Sequence, residues 1–260
     1  KPIGTDLESV ETYLQLAKEK QVITMAGMTH RFRRDAAILK EYADAETFGD
    51  IYYVKARLYR QRGTPKGWFT SKALAGGGAL MDIGVHVLDL AWWLMGCPKI
   101  AAITGKAVAG LGRYGTKYTV SWESNNKQLN AGDLFDVEDF GSAWIRFEGG
   151  PVLSLEVAWA INGAHDEGID IGMLGNKGGA KLSPLVVYTE ENQILSEKRP
   201  IFTENIPFED EINHFVECVR KREKPLADGE QAYEVLRMLL GIYESSRLNK
   251  EISFGKQEGE

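Results

Sequence analysis

The chain has 260 residues, of which 43% are hydrophobic and 26% are charged, and its formal net charge at pH 7 is −6. This composition is ordinary for a folded globular protein and excludes a disordered, collagen-like or coiled-coil chain. The 37 acidic residues outnumber the 31 basic ones and no basic run occurs, so we expect no nucleic-acid partner. No apolar run approaches the roughly 18 to 20 residues of a membrane-spanning helix, so we expect no membrane partner. The expected partner is a small polar molecule.

The two cysteines and the first residues bear on the location of the protein. Cys97 and Cys218 have no metal-type spacing and are too few for a disulfide framework, so both are expected to be buried structural thiols. This favours a reducing compartment, and no targeting segment opens the chain, so we expect a cytoplasmic protein. Because the chain starts at Lys1 without an initiator Met, we interpret it as part of a longer protein.

The first 45 residues are predicted to form a helix, a short strand and a second helix. Residues 5–8 (TDLE) match a capping box, in which Thr5 and Glu8 bond free backbone amides at a helix start. The helix continues to about Lys20, residues 21–28 (QVITMAGM) have the pattern of a buried strand, and a helix covers residues 35–45. A helix that leads into a buried strand is typical of the end of an α/β sheet.

From Ile51 onward the chain is predicted to be rich in strands. Hydrophobic and polar residues alternate from Ile51 and again over residues 137–147 and 151–161, which is the period of a half-buried strand. Shorter strand-like runs are residues 101–108, 116–122, 169–174, 184–189 and 192–196. The polar residues 123–136 are expected to be mobile, and two helices end the chain, at residues 208–219 and from a capping box at 228–231 to about 248. We therefore predict an α/β (α+β) fold: a large, mostly antiparallel open β-sheet covered by helices.

Residues 76–96 (GGGALMDIGVHVLDLAWWLMG) carry most of the chemical information. Two apolar stripes at helical spacing predict a helix that is buried nearly all round, and its third stripe holds Asp82, His86, Asp89 and Trp93. Charged groups on a buried helix are costly unless they are paired or line a wet cavity. Asp82 and His86 stand at i and i+4, where a carboxylate would favour the charged imidazolium and orient the ring. That arrangement is suited to proton transfer.

Other interpretations of this segment remain open. An isolated Asp-x-x-x-His is more often a buried structural pair than a catalytic one, whereas three glycines would let a ligand or another backbone approach the helix start. Oxygen and nitrogen ligands at Asp82, His86 and Asp89 could also hold a metal. No second histidine stands at helical spacing, so we expect no metal.

The pattern of residues 76–89, Gly-Gly-Gly-x-Leu-x-Asp-x-Gly-x-His-x-x-Asp, resembles the signature of the glucose–fructose oxidoreductase/inositol dehydrogenase (Gfo/Idh/MocA) family. Further similar segments, in the same order along the chain, are residues 65–69 (PKGWF), 137–140 (VEDF), 175–180 (GNKGGA) and 228–229 (DG). The resemblance implies an N-terminal Rossmann domain that holds NAD or NADP and a C-terminal domain with a large open sheet that holds the substrate. Residues 1–28 would be the remnant of the Rossmann domain, its last helix–strand unit, and residues 29–260 the substrate-binding and oligomerisation domain.

The resemblance also implies the site residues. Lys1 and Pro2 resemble the end of the family's Glu-Lys-Pro motif, so both are expected to contact the cofactor. Lys1, Asp82 and His86 would form the catalytic group, with Asp82 and His86 also contacting substrate. Because the main grip on the cofactor lies upstream, this chain alone is expected to be inactive.

Arg31 and Trp68 are weaker candidates for substrate-binding residues, and one further segment matches a cofactor-binding motif only by pattern. Arg31 falls where the family commonly has an Arg before an aromatic residue, and it would either contact substrate or form an ion pair at a domain boundary. Trp68 would either stack on a sugar ring in the substrate pocket or belong to the core. Residues 110–115 match Gly-x-Gly-x-x-Gly, but no helix is predicted after them, so we interpret them as a turn.

The resemblance predicts that the intact protein is an NAD(P)-dependent oxidoreductase acting on a secondary alcohol of a sugar, an inositol or a related polyol. His86 would take the hydroxyl proton, Asp82 would orient the substrate and the imidazole, and Lys1 would bond the reacting oxygen. Two alternatives are an NAD-dependent glycoside hydrolase of the same fold and a non-catalytic assembly domain. A homo-oligomer, dimer or tetramer, is expected through the open face of the sheet.

Overall fold

The computed structural model describes residues 1–65, 67–111, 135–163 and 168–255. The predicted strand at residues 116–122 and most of the Gly-x-Gly-x-x-Gly turn and of the polar segment 123–136 lie outside these residues.

The described helices agree closely with those predicted. Asp6, rather than the predicted Thr5, caps the first helix, because its carboxylate accepts from the backbone N–H of Ser9 at 2.8 Å. Asp228 caps the last helix, accepting from the N–H groups of Glu230 and Gln231. The α-helices are α1 (Leu7–Glu19), α2 (Arg34–Asp44), α3 (Lys72–Ala75), α4 (Val85–Leu94), α5 (Pro207–Lys221) and α6 (Gly229–Leu248). Short 3₁₀ turns cover Thr29–Phe32 and Gly67–Thr70, and a π-helical turn, Leu80–Gly84, leads into α4.

Nine described strands form one sheet in the order β8-β7-β6-β5-β1-β4-β3-β2-β9. Only β1 and β4 run parallel, and the other neighbours are antiparallel, so the predicted fold class is confirmed. The strands are β1 (Ile51–Tyr59), β2 (Ile100–Val108), β3 (Phe140–Phe147), β4 (Val152–Ala158), β5 (Gly168–Gly175), β6 (Gly178–Lys181), β7 (Val186–Glu191), β8 (Ile194–Lys198) and β9 (Ile252–Ser253).

The strand predicted at residues 21–28 is wrong in this chain. Only Met25 pairs, in an isolated bridge with Asp228, and the described part of the chain supplies no neighbouring strand for the rest of the run. A buried strand needs partners for its backbone groups on both edges, so hydrophobic pattern alone does not make one.

The core lies between one face of the sheet and the helices α4 and α6. The helical segment Lys72–Leu94 reaches the length and mean hydropathy (1.3) of a membrane-spanning helix, contrary to the expectation that no apolar run comes close. Because 67% of its most apolar window is buried inside the protein, it is accounted for as a core helix. The sheet also leaves large apolar side chains exposed, at Tyr52, Trp144 and Leu174.

Candidate active site

The three glycines before the π-helical turn pack closely against backbone and side chains, and Gly77 also lines the cleft described below. The N–H of Gly78 donates to both carboxylate oxygens of Glu138 at 3.0 Å, and the N–H of Leu80 donates to one of them at 2.9 Å. A Cβ on Gly78 would overlap the carbonyl oxygen of Glu138, and one on Gly77 would overlap the hydroxyl of Tyr243. Of the two roles that the sequence left open for these glycines, the structure shows the close approach of another backbone at Gly78.

The π-helical turn carries Asp82, which lies at the centre of the candidate site. Its Oδ2 accepts a hydrogen bond from the indole N–H of Trp159 at 3.0 Å, and Arg60 Nη1 lies 3.7 Å from the same oxygen. Lys1 Nζ lies 3.8 Å from Oδ1 and donates to the backbone carbonyl of Asp82 at 3.0 Å. The carboxylate is therefore held from three directions, by side chains from three separate parts of the chain.

His86 is close to this cluster but is not paired with Asp82. Its Nδ1 is buried and has no hydrogen-bond partner within the part of the chain that the structure describes, and its ring packs edge-on against His30 with centroids 4.9 Å apart. Burial, reinforced by the positive charge of Lys1, lowers the pKa of His86 to about 2. The expected charged imidazolium is therefore wrong, because desolvation outweighs any effect of Asp82 and the ring is neutral.

Partial burial also shifts the pKa values of Lys1 and His30. Burial is the main cause that lowers the pKa of the Lys1 amine, and the negative charge of Asp82 partly opposes it. Burial, with the charge of Arg33, lowers the pKa of His30 to about 4. The site thus combines an ammonium that gives up its proton more readily than usual with two neutral imidazoles.

Beside the cluster lies a cleft of about 700 Å³. Lys1, Pro2 and Asp82 line it, while Trp68, Phe69 and Met81 form apolar walls. Trp68 stacks on Phe69 with ring centroids 4.0 Å apart. Because both rings line the cleft, the structure places Trp68 on the cleft wall rather than in the core. An apolar cleft with a few convergent polar groups is the usual form of a small-molecule site.

Arg31 lies apart from the cleft, and its predicted contact with substrate is not supported. Its Nε and Nη2 donate to the two oxygens of Asp89 at 2.8 and 2.6 Å, and Nη1 bonds the carbonyl of Leu226 and the side chain of Gln231. Only 1% of the residue is exposed. The structure thus places Arg31 in the ion pair that the sequence offered as the alternative.

The same ion pair engages both carboxylate oxygens of Asp89, the residue that the sequence offered as a metal ligand together with Asp82 and His86. Among the residues that the structure describes, no three His, Cys, Asp or Glu side chains are grouped so that they could hold a metal ion.

Sequence reasoning missed Glu138, Trp159 and Arg60. Glu138 stands in a segment that resembles the family, but nothing in the sequence pairs it with glycines 60 residues earlier. Trp159 and Arg60 directly follow the parallel strands β4 and β1, so only the pairing of those strands brings both to Asp82.

Comparison with known proteins identifies the family. Residues 40–254 match the family model described as "Oxidoreductase family, C-terminal alpha/beta domain" of Gfo/Idh/MocA proteins. The chain is 29% identical over 252 residues to D-glucoside 3-dehydrogenase of Escherichia coli, covering 95% of this chain and 69% of that protein. It is 28% identical over 235 residues to scyllo-inositol 2-dehydrogenase (NAD(+)) of Bacillus subtilis, covering 87% of this chain and 61% of that protein.

A solved structure of levoglucosan dehydrogenase, in complex with NADH and L-sorbose, has the same fold. It superimposes with a TM-score of 0.80 at 20% identity, covering 98% of this chain and 72% of that one. The chain belongs to the Gfo/Idh/MocA family of oxidoreductases, and it spans about two thirds of the length of the curated relatives described above.

Proposed function

We propose that the protein containing this chain is an NAD(P)-dependent oxidoreductase that transfers hydride between a nicotinamide and a secondary alcohol of a sugar, an inositol or a related polyol. The observation that carries the proposal is the cluster of Lys1, Asp82 and a neutral His86 beside an apolar-walled cleft. The relatives' names add support, since they are dehydrogenases of a glucoside and an inositol.

The residues present fit a nicotinamide cofactor and an alcohol. His86 keeps a buried nitrogen that has no partner among the described residues, and Lys1 brings to the cleft an amine whose pKa is lowered by burial. Lys1 and Pro2 would contact the cofactor, and Trp68 would pack against the sugar ring. When bound, the nicotinamide supplies the acceptor for the hydride.

The proton and charge chemistry falls to three side chains. As the C–H electron pair leaves the carbon, the hydroxyl oxygen becomes strongly acidic, and the neutral imidazole of His86 accepts its proton while the C=O bond forms. Lys1 donates a hydrogen bond to that oxygen and stabilises it in the transition state. Asp82 holds the Lys1 amine, and the indole N–H of Trp159 keeps the carboxylate in place.

The test measures NADH or NADPH formation by the full-length enzyme with free sugars, inositols and aryl glycosides. We expect stoichiometric formation of reduced cofactor and a keto-sugar product. Release of the aryl group without net reduction of the cofactor would instead identify the glycoside hydrolase alternative. Absence of both activities across the set would leave the assembly domain.

The domain division belongs to the same proposal. We place the boundary between residues 28 and 29, and this is supported by a family match that begins at residue 40 and describes a C-terminal domain. The exposed side chains of Trp144 and Leu174 support homo-oligomerisation through the face of the sheet that the helices leave open. A cytoplasmic location stays a prediction.

A further inference from the structure

Arg60 has no part in the chemistry proposed above, yet it lies in the cleft. Its side chain is 41% exposed and lines the same cavity as Trp68 and Asp82. Within the described part of the chain its guanidinium makes one hydrogen bond, from Nη1 to the carbonyl of Gly63 at 3.3 Å. Since a guanidinium carries five N–H donors in a planar fork, most of its donors remain available to a ligand.

The position of Arg60 is built by the surrounding backbone. Its own N–H donates to the carbonyl of Ala158 at 2.9 Å, and the N–H of Gly63 donates to the carbonyl of Trp159 at 2.8 Å. The stem of Arg60 lies over Gly63 so closely that a Cβ there would come within 2.5 Å of its Cδ. Because Gly63 has no side chain, the stem of Arg60 packs against it, and this contact positions the guanidinium near Asp82.

The charges of the cleft do not cancel. Its described lining carries two cations, Lys1 and Arg60, against the single carboxylate of Asp82. Lys1 lies 3.8 Å from Oδ1 of that carboxylate, while the indole N–H of Trp159 donates to Oδ2 at 3.0 Å and Arg60 lies 3.7 Å from the same oxygen. Both cations therefore face a single carboxylate. One positive charge is thus left over in the cleft of a chain whose net charge is −6.

We propose that Arg60 binds an anionic group of the substrate, so that the enzyme acts on a sugar or polyol that carries one carboxylate or phosphate. A planar guanidinium binds either group with two parallel hydrogen bonds. Lys1 and Arg60 approach different oxygens of Asp82, so a ring seated over this residue would place its reacting hydroxyl near Lys1 and its anionic substituent near Arg60. This inference rests on the proposed oxidoreductase function.

The test uses the full-length enzyme with matched substrates: D-glucose, D-glucuronate and D-glucose 6-phosphate, and inositol with its monophosphate. The readout is the ratio of kcat/KM for the anionic member to that for the neutral one, because a ratio cancels any effect of Arg60 on Lys1 or His86. We expect the wild type to favour an anionic member, and R60Q to lower the ratio by about 10- to 100-fold. Whichever anion gives the higher ratio distinguishes a carboxylate from a phosphate ester.

Two glycine variants separate the position of Arg60 from its charge. G63A keeps the guanidinium but displaces its stem, and we expect it to lower the ratio in the same direction as R60Q. G172A is the matched control, because a Cβ at Gly172 in β5 meets nothing within 4 Å, and it leaves the ratio at the wild-type value.

Binding measured by quenching of tryptophan fluorescence keeps the two proposals apart. The role of Arg60 would be overturned if the wild type bound neutral substrates more tightly than anionic ones, or if R60Q had the same anionic-to-neutral ratio of kcat/KM as the wild type. In either case, oxidation of neutral sugars would still uphold the proposed function. Selective, Arg60-dependent binding of anionic substrates without formation of reduced cofactor would instead contradict the proposed oxidoreductase reaction and leave the role of Arg60 in place.

Discussion

The proposed chemistry depends, at the level of single residues, on His86, whose buried Nδ1 has no hydrogen-bond partner among the residues that the structure describes. A buried nitrogen without a partner costs about 1–3 kcal/mol, so a protein tolerates it where the group is used. We expect His86→Ala in the full-length enzyme to lower turnover by roughly two to four orders of magnitude, because proton removal from the hydroxyl is lost.

Steady-state kinetics on the full-length protein measure this loss. His214→Gln serves as the control, since His214 lies away from the cleft and bonds the backbone N–H of Leu226. Turnover of the His86 variant near the wild-type value would remove His86 from the mechanism.

The two neutral histidines also predict how stability depends on pH. Their pKa values in the folded chain, about 4 for His30 and about 2 for His86, lie below the ordinary value of 6.5. Below about pH 6.5 the unfolded chain therefore binds protons that the folded chain does not, and the free energy of unfolding falls as the pH drops towards 4. Each histidine contributes a slope of up to about 1.4 kcal/mol per pH unit in that window.

Urea unfolding between pH 4 and 8 measures that slope, and His86→Asn should reduce it by removing one of the two groups. An unchanged slope in this variant would contradict a neutral, buried His86.

At the level of elements, the start of the π-helical turn depends on the contact between Gly78 and Glu138. Burial raises the pKa of Glu138, against the lowering effect of hydrogen bonds from Leu80, Tyr243 and Gly78. The carboxylate serves here as the cap of the helical segment that presents Asp82 and His86.

Gly78→Ala is therefore expected to destabilise the fold by about 1–3 kcal/mol or more, because its Cβ meets backbone that cannot move aside. Gly84→Ala, in the same turn, is the control: its Cβ makes ordinary contacts at 3.5 Å, and the change should be neutral or stabilising by up to about 1 kcal/mol. Thermal unfolding of both variants measures the difference, and equal effects would contradict this account.

At the level of the whole molecule, Arg31 joins three regions that are far apart in sequence. The guanidinium on the first 3₁₀ turn bonds Asp89 on α4, and also Leu226 and Gln231 before and within α6. Both charges are almost fully buried, so the loss of one leaves the other without compensation.

Asp89→Asn should accordingly lower the free energy of unfolding by about 3–5 kcal/mol. Glu217→Gln, which breaks the exposed pair with Arg220, is the matched control and should leave the midpoint of unfolding in place. A small effect of Asp89→Asn in urea unfolding would show that the pair is not required for the fold.

Local patterns in the chain were enough to predict the helices, most strands and the fold class. Alternating hydrophobicity marks a strand wherever one face is buried, and helix starts are marked by their caps, although the first cap lies at Asp6 rather than Thr5. The family, too, is indicated by sequence alone, because residues 76–89 hold many fixed positions within a short segment.

The neutral state of His86, the pairing of Arg31 with Asp89 and the contacts of Trp159 and Arg60 with Asp82 came only from the tertiary structure. The i, i+4 spacing of Asp82 and His86 is a local property, but the charge of a buried group depends on desolvation and on neighbours from the whole chain. Likewise, only the parallel pairing of β1 with β4 brings Arg60 and Trp159 to one carboxylate, because strand order follows from packing rather than from sequence spacing.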